Sequence, residues 1–143
     1  MNYIRSIGED QITNQICDLV NTYDGWCRPF TPEEIKRADG FYIIESLGRL
    51  VLGCIGLISV HDIMMYTEIR HLRVHPLARR QGLGKLLLQE AIRSMPTEVG
   101  VAFIKEDNIV SLNMFLKEGF VVAKKLIRED APNLWLVCIR RGR

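Results

Sequence analysis

The stretch Glu68-Ile69-Arg70-His71-Leu72-Arg73-Val74-His75-Pro76-Leu77-Ala78-Arg79-Arg80-Gln81-Gly82-Leu83-Gly84-Lys85 decides the fold. Its first half reads as a strand as far as Val74. Pro76 stops that strand, because proline donates no ladder hydrogen bond. A basic turn follows, then two glycines one residue apart. Beyond them Leu83, Leu86, Leu87, Ala91 and Ile92 recur at helical spacing. A strand, a glycine-rich turn and a helix in that order aim free backbone N–H groups and the positive end of a helix dipole at one spot. That is what a phosphate needs. Gly82 and Gly84 let an anion approach the backbone, having no Cβ to stand in its way, and Arg79, Arg80 and Lys85 add positive charge. An ordinary basic turn capping a helix looks the same, and the loop alone does not separate the two.

Two familiar phosphate-binding patterns fail on this stretch. The phosphate loop of nucleotide triphosphatases needs a glycine where Arg79 stands and a Ser or Thr where Leu86 stands. The dinucleotide fingerprint needs a third glycine in place of Leu87.

With 143 residues, the chain has the length of one domain, 1–143, with a proper core. Its apolar share of 48% and charged share of 25% are the balance of a soluble globular protein. A net charge of +2 is too small to argue for nucleic acid, and Arg140-Arg141-Gly142-Arg143 reads as a solvated tail. Cys17, Cys27, Cys54 and Cys138 lack both Cys-x-x-Cys spacing and His partners at zinc spacing. Neither a metal site nor a disulfide framework is indicated, which fits reduced thiols in a cytoplasmic protein. The start, Met1-Asn2-Tyr3-Ile4-Arg5, lacks the apolar run of a signal peptide, and no stretch is long enough to span a membrane.

In chain order, residues 3–7 predict a strand and residues 9–21 an amphipathic helix with Ile12, Ile16, Leu19 and Val20 on one face. Thr31-Pro32-Glu33-Glu34 predicts the start of a short second helix, with Thr31 as N-cap and Glu34 closing a capping box. The loop between them, residues 22–30, carries Trp26 and Phe30, which serve either as a substrate wall or as a small satellite core. Residues 41–45 and 50–59 predict a hairpin, the second strand apolar enough to be covered on both faces. The His61-Asp62 pair falls in a polar turn. After the opening stretch, residues 99–104 predict a strand, and Ile109, Leu112, Phe115 and Leu116 a helix capped by Asp107 or Asn108 and closed by Gly119. Two last strands, 120–123 and 134–139, flank a polar loop at 128–133. The expected fold is α/β: a mixed, mostly antiparallel sheet of about seven strands flanked by about four helices.

Two stretches together carry a resemblance to a known family. Arg79-Arg80-Gln81-Gly82-Leu83-Gly84 resembles the Arg/Gln-x-x-Gly-x-Gly/Ala loop of the GNAT N-acetyltransferase superfamily, and Glu68-Ile69-x-x-Leu72-x-Val74-x-Pro76 matches the strand before it. Downstream, Asn108, Ser111, Met114, Phe115, Lys117, Gly119 and Phe120 stand where the family shows Asn-x-x-Ala-x-x-Phe-Tyr-x-Lys-x-Gly-Phe. The resemblance covers residues 41–122. It implies an acetyl-coenzyme A-dependent N-acetyltransferase acting by direct attack of a primary amine. The amine would belong to a small molecule, a lysine side chain or a protein N-terminus. By the same resemblance Leu72, Arg73 and Val74 lend main-chain groups to the pantetheine arm. Arg79, Arg80, Gln81, Gly82, Leu83, Gly84 and Lys85 surround the pyrophosphate, and Asn108 and Phe115 lie beside the pantetheine and thioester. Relatives are often dimers, which leaves a homodimer open.

Glu68 is the candidate base, because some members carry a basic Glu at that position; a structural carboxylate paired with Arg70 is the competing role. The chain departs from the family at Phe115, where many relatives have the Tyr that protonates the departing thiolate. Such an acid contributes about 10²–10⁴ in rate, so its loss slows rather than forbids the reaction, with water, Tyr66 or Cys54 as substitutes if they reach the cleft. Ribosomal-protein N-terminal acetyltransferases use that Tyr and an acidic residue five places before the Asn; Phe103 occupies that place. The second reading is an acyl-coenzyme A binding or sensing module that has kept the cofactor loop and lost efficient chemistry.

Overall fold

The computed structural model describes residues 2–5, 10–21, 29–128 and 131–142. In chain order they form β1 (Asn2–Arg5), α1 (Asp10–Val20), α2 (Pro32–Ile35), β2 (Gly40–Glu45), β3 (Val51–His61) and β4 (Met65–Val74). A 3₁₀ turn (Pro76–Ala78) then leads to α3 (Leu83–Ser94), β5 (Val99–Lys105), α4 (Ile109–Lys117), β6 (Val121–Arg128) and β7 (Ala131–Arg141). The strands make one seven-stranded sheet in the order β1-β2-β3-β4-β5-β7-β6. Every neighbouring pair is antiparallel except β4 and β5, which run parallel. This is the mixed sheet with flanking helices expected from the sequence.

The sheet separates two apolar cores. On one face Leu87, Leu88, Ala91 and Ile92 of α3 pack on Ile55, Leu57, Ile69, Ala102, Ile104 and Leu136. On the other, Ile16, Leu19 and Val20 of α1 and Ile35 of α2 pack on Phe41, Ile43 and Cys54. Successive residues of a strand point to opposite faces, so β3 must be apolar at both Cys54 and Ile55, and residues 53 to 57 are buried without a break. Each fully buried Leu or Ile contributes roughly 1.5–3 kcal/mol over leaving it exposed.

Local chemistry sets the helix ends. Thr31 Oγ1 accepts from Glu34 N–H at 3.2 Å, and the Glu34 carboxylate accepts from Thr31 N–H at 3.3 Å, the expected capping box. Gly119 closes α4 in the left-handed region at φ 93°. The expected polar loop at 128–133 is shorter than composition indicates. β6 continues to Arg128 and β7 begins at Ala131. Pro132 is tolerated because Arg128 faces Ala131 while Ile127 already faces Leu134, so the proline sits in a bulge where no ladder bond is required. Trp26, in the loop between α1 and α2, lies outside the described residues, as do Glu129 and Asp130.

Candidate active site

A bulge in β4 opens the sheet. Cys54 faces Arg73 and Gly56 faces Arg70, so β3 spends one residue, Ile55, where β4 spends two, His71 and Leu72. His71 takes the left-handed conformation at φ 56° to do this. Histidine is among the few non-glycine residues that adopt it with any frequency. On its other side β4 pairs with β5 only at Thr67–Gly100 and Glu68–Val101. Past that point β5 stays paired with β7 along its whole length, and β4 follows its bulge away. The strands part like the limbs of a V.

The vertex is pinned by buried hydroxyls. Thr97 Oγ1 donates to Val99 O at 2.8 Å, which commits its one proton, so Thr67 Oγ1 donates to Thr97 Oγ1 at 2.7 Å. The opening is a cleft of about 480 Å³, open to solvent. Its walls include Leu72 and Arg73 from β4, Phe103 and Lys105 from β5, Asn108 and Phe115 around α4, and Trp135 from β7. Beyond Glu68, β4 has no strand partner on this side among the described residues. His75 N–H bonds Leu52 O of β3, so by strand alternation the neighbouring Val74 N–H points the opposite way, toward the gap. The Val74 carbonyl accepts from Arg79 Nε at 3.3 Å and the Leu72 carbonyl from Arg73 at 2.8 Å.

At the outer end of β4 the chain turns sharply. His75 Nδ1 accepts from Leu77 N–H at 3.1 Å, and Arg80 and Gly82 both have positive φ, 63° and 75°. Gly82 is the N-cap of α3 and no side chain caps the helix. The first intrahelical bond is Leu86 N–H to Gly82 O, which leaves the amides of Leu83, Gly84 and Lys85 without helix partners. A Cβ on Gly82 would meet nothing within 4 Å. Gly84 is bare for another reason than the one expected. A Cβ there would lie 3.2 Å from Met114 Cε and 3.7 Å from Val74 Cγ2, so its lack of side chain lets α3 pack on α4 and β4. Gln81, Arg79, Arg80 and Lys85 are exposed around the turn, and Leu83 is half-buried.

The other candidates fall at the vertex and along α4. Glu68 is the last β4 residue paired with β5, and its carboxylate lies 3.9 Å from Arg70 Nε. Asn108 combines two positions: it lines the cleft, and its Oδ1 caps α4 by accepting from Ser111 N–H at 3.4 Å. Phe115 lines the cleft from the core, buried and edge-on to Phe120 at 5.0 Å. Cys54 does not reach the cleft. It is buried under α1, donates to His71 O at 3.3 Å, and burial pushes its thiol up to about 12. That removes it as a substitute acid.

His71 gave no signal in the sequence, since a single His in a strand does not reveal a bulge. Phe30 meets it edge-on at 4.7 Å and Phe41 stacks on it at 6.0 Å. Burial, with Arg70 and Arg73 adding to it, pulls the imidazole down to about 3 and keeps it neutral. Phe30 is held there by Asn21, whose amide donates to Phe30 O at 2.7 Å and accepts from Phe30 N–H at 2.6 Å. Phe30 therefore folds back as satellite core. Among the described residues no three His, Cys, Asp or Glu side chains come together as a metal site, and no helix is long and apolar enough to cross a membrane.

One parallel pair of strands thus splays beside a glycine turn and a helix with no side-chain cap. The profile of the acetyltransferase (GNAT) family matches residues 13–120, and the chain belongs to that family. No curated protein matches it in sequence. Among solved structures, a chain of the NatC complex bound to Gag peptide and CoA is similar at a TM-score of 0.80 and 17% identity, covering 99% of this chain and 98% of that one. The ribosomal-protein-S18-alanine N-acetyltransferase from Escherichia coli is similar at 0.76 and 14%, covering 99% and 94%. A GNAT-family acetyltransferase from Streptococcus pneumoniae is similar at 0.74 and 13%, covering 99% and 100%. At these identities the likeness is one of fold.

Proposed function

We propose that this chain, acting as one domain in the cytoplasm, transfers an acetyl group from acetyl-coenzyme A to a primary amine. The observation that carries the reading is the parting of β4 from β5 beyond Glu68 and Val101, next to a helix whose first amides are unclaimed. The residues fit the cofactor. Leu83, Gly84 and Lys85 offer amides to a diphosphate at a turn where Gly82 leaves the approach open, and Arg79, Arg80, Gln81 and Lys85 surround it with polar and positive groups. Main-chain groups of Leu72, Arg73 and Val74 would bond the pantetheine arm as an added strand. Asn108 and Phe115 would flank its end.

Acetyl-coenzyme A, when bound, supplies an acetyl thioester, a good acyl donor with a tolerable thiolate leaving group. Glu68, beside the vertex, takes the proton that an ammonium acceptor must lose before it can attack. Val74 N–H, pointing into the gap, donates to the carbonyl oxygen as it gains charge. Phe115 excludes water from the reacting end and cannot give a proton. That last point favours the second reading, a cofactor-binding module with weak chemistry. Thiol release from acetyl-coenzyme A over a panel of amines, with Glu68→Gln as control, separates them. Turnover that falls in the variant supports the enzyme; tight cofactor binding with no turnover on any amine supports the module.

A further inference from the structure

Register fixes the face of the sheet on which Glu68 sits. Glu68 stands opposite Ile58 of β3, and Ile58 packs on the core under α1. Its partner on the other side is Val101. Along β5, Ala102 and Ile104 belong to the α3 core, and along β7, Leu136 and Cys138 do. Alternation therefore turns Val101, Phe103, Val137 and Ile139 the other way, toward the face that Glu68 shares. Phe103 pairs with Val137 and Val101 with Ile139, so the four make one continuous apolar wall that begins beside the candidate base. Phe103, Val137 and Ile139 are half-exposed, and Phe103 lines the cleft. Among the described residues, the core under α1 holds none from β5 or β7. Charged groups of this face stand to either side of the wall: Arg70 beside Glu68 on β4, and Lys105 two residues beyond Phe103. Helix α3, whose first amides are proposed to meet the cofactor diphosphate, packs on the opposite face.

We propose that the acceptor is an amine carrying a bulky apolar group, aryl or branched alkyl, on a short arm: the amine meets Glu68, and the apolar group lies on Phe103 and Val137. This deepens the acetyltransferase reading above and rests on it. Phe103 is two residues beyond Val101, about 6.6 Å along the strand, which is the reach of a short arm and not of a long chain. An apolar group laid there leaves water for a wall that already shows apolar surface. An aromatic one also gains ring contact with Phe103. A second ammonium in the same place, as in a polyamine, would lose hydration against a surface that offers it no hydrogen-bond acceptor. The wall and the base share a face and adjoin at Val101, so one molecule can touch both while the cofactor enters from the α3 side.

The test compares amines of similar basicity that differ in the group on the arm: 2-phenylethylamine against 2-methoxyethylamine, and a peptide with Phe first against the same peptide with Ser first. Spermidine is run beside them. The full chain is loaded with coenzyme A for binding by saturation-transfer NMR and with acetyl-coenzyme A for turnover. The expected result is an apolar member favoured by at least about tenfold in kcat/KM or affinity in one pair or both, the discrimination an apolar site draws from a few buried carbons. Spermidine should be the poorest acceptor. The free-amine pair and the peptide pair distinguish a small acceptor from a protein N-terminus. The preference should shrink in Phe103→Ser and in Val137→Thr, which is close in shape to the parent, each checked for its fold by circular dichroism. Apolar preference in binding without turnover on any amine would keep the wall and remove the acetyltransferase reading. Turnover with no preference, turnover favouring the polar members or spermidine, or a preference undiminished in both folded variants would overturn the wall alone. Absence of both binding and turnover would overturn both.

Discussion

Glu68 of β4 stands opposite Val101 of β5, and theirs is the last pair through which the two strands meet. One step earlier Thr67 bonds Thr97 at 2.7 Å in a buried site. The acid proposed as base thus sits at a fixed vertex rather than on a loop, which suits a group that must hold its geometry.

Replacing Glu68 with Gln keeps shape and removes the base. We expect kcat to fall by about 10²–10⁴ with KM little changed. Stability should move by less than ~1 kcal/mol, because a partly exposed pair at 3.9 Å contributes little. Steady-state kinetics beside urea unfolding checks both. A variant with undiminished kcat would return Glu68 to a purely structural role.

Gly82 and Gly84 should separate conformational need from packing. At φ 75° an alanine at 82 is strained by roughly 1–2 kcal/mol though nothing obstructs its Cβ. Gly82→Ala should therefore lose both stability and cofactor affinity. Gly84→Ala gains helix propensity of about 1 kcal/mol and pushes only the flexible end of Met114. Its urea midpoint should stay close to the parent's.

His71 predicts an acid-side loss of stability. Its folded pKa is lowered to about 3, against roughly 6.5 in the unfolded chain. Below pH ~6.5 the unfolded chain binds a proton that the folded one does not. Stability therefore falls with falling pH by up to ~1.4 kcal/mol per unit until about pH 3, and above 6.5 this group has no effect. His71→Asn, whose residue tolerates the left-handed backbone, should flatten the slope of urea stability against pH whatever its absolute stability.

Phe115→Tyr places a hydroxyl at the cleft wall. If the ring keeps its place, kcat should rise, by about tenfold or more, within the reach of a single general acid. The buried hydroxyl would cost at most about 1–3 kcal/mol if it finds no partner. Unchanged kcat in a folded variant would mean that thiolate departure does not limit the rate.

Much of this architecture was legible in residues 68–85, where proline, paired glycines and helical spacing each announce their element locally. The capping box at Thr31 and the caps of α4 were legible for the same reason. What escaped the sequence depends on partners. The bulge at His71 exists because β3 and β4 differ by one residue in register, and no local pattern around His71 states that. Pro132 argued for a loop, yet a bulge against Ile127 and Arg128 admits it to a strand. Gly84 looked like an anion's approach and turned out to be a contact with Met114, which lies thirty positions away.

The central claim is that the corner at Gly82 and the start of α3 holds the diphosphate of coenzyme A. Isothermal titration of the unaltered protein with coenzyme A and with acetyl-pantetheine, which lacks the diphosphate, addresses it directly. The account predicts saturable heat from coenzyme A well below millimolar and at least a hundredfold weaker binding of acetyl-pantetheine, about 2.7 kcal/mol. Equal affinity for the two, or no heat from coenzyme A at millimolar concentration, would contradict it.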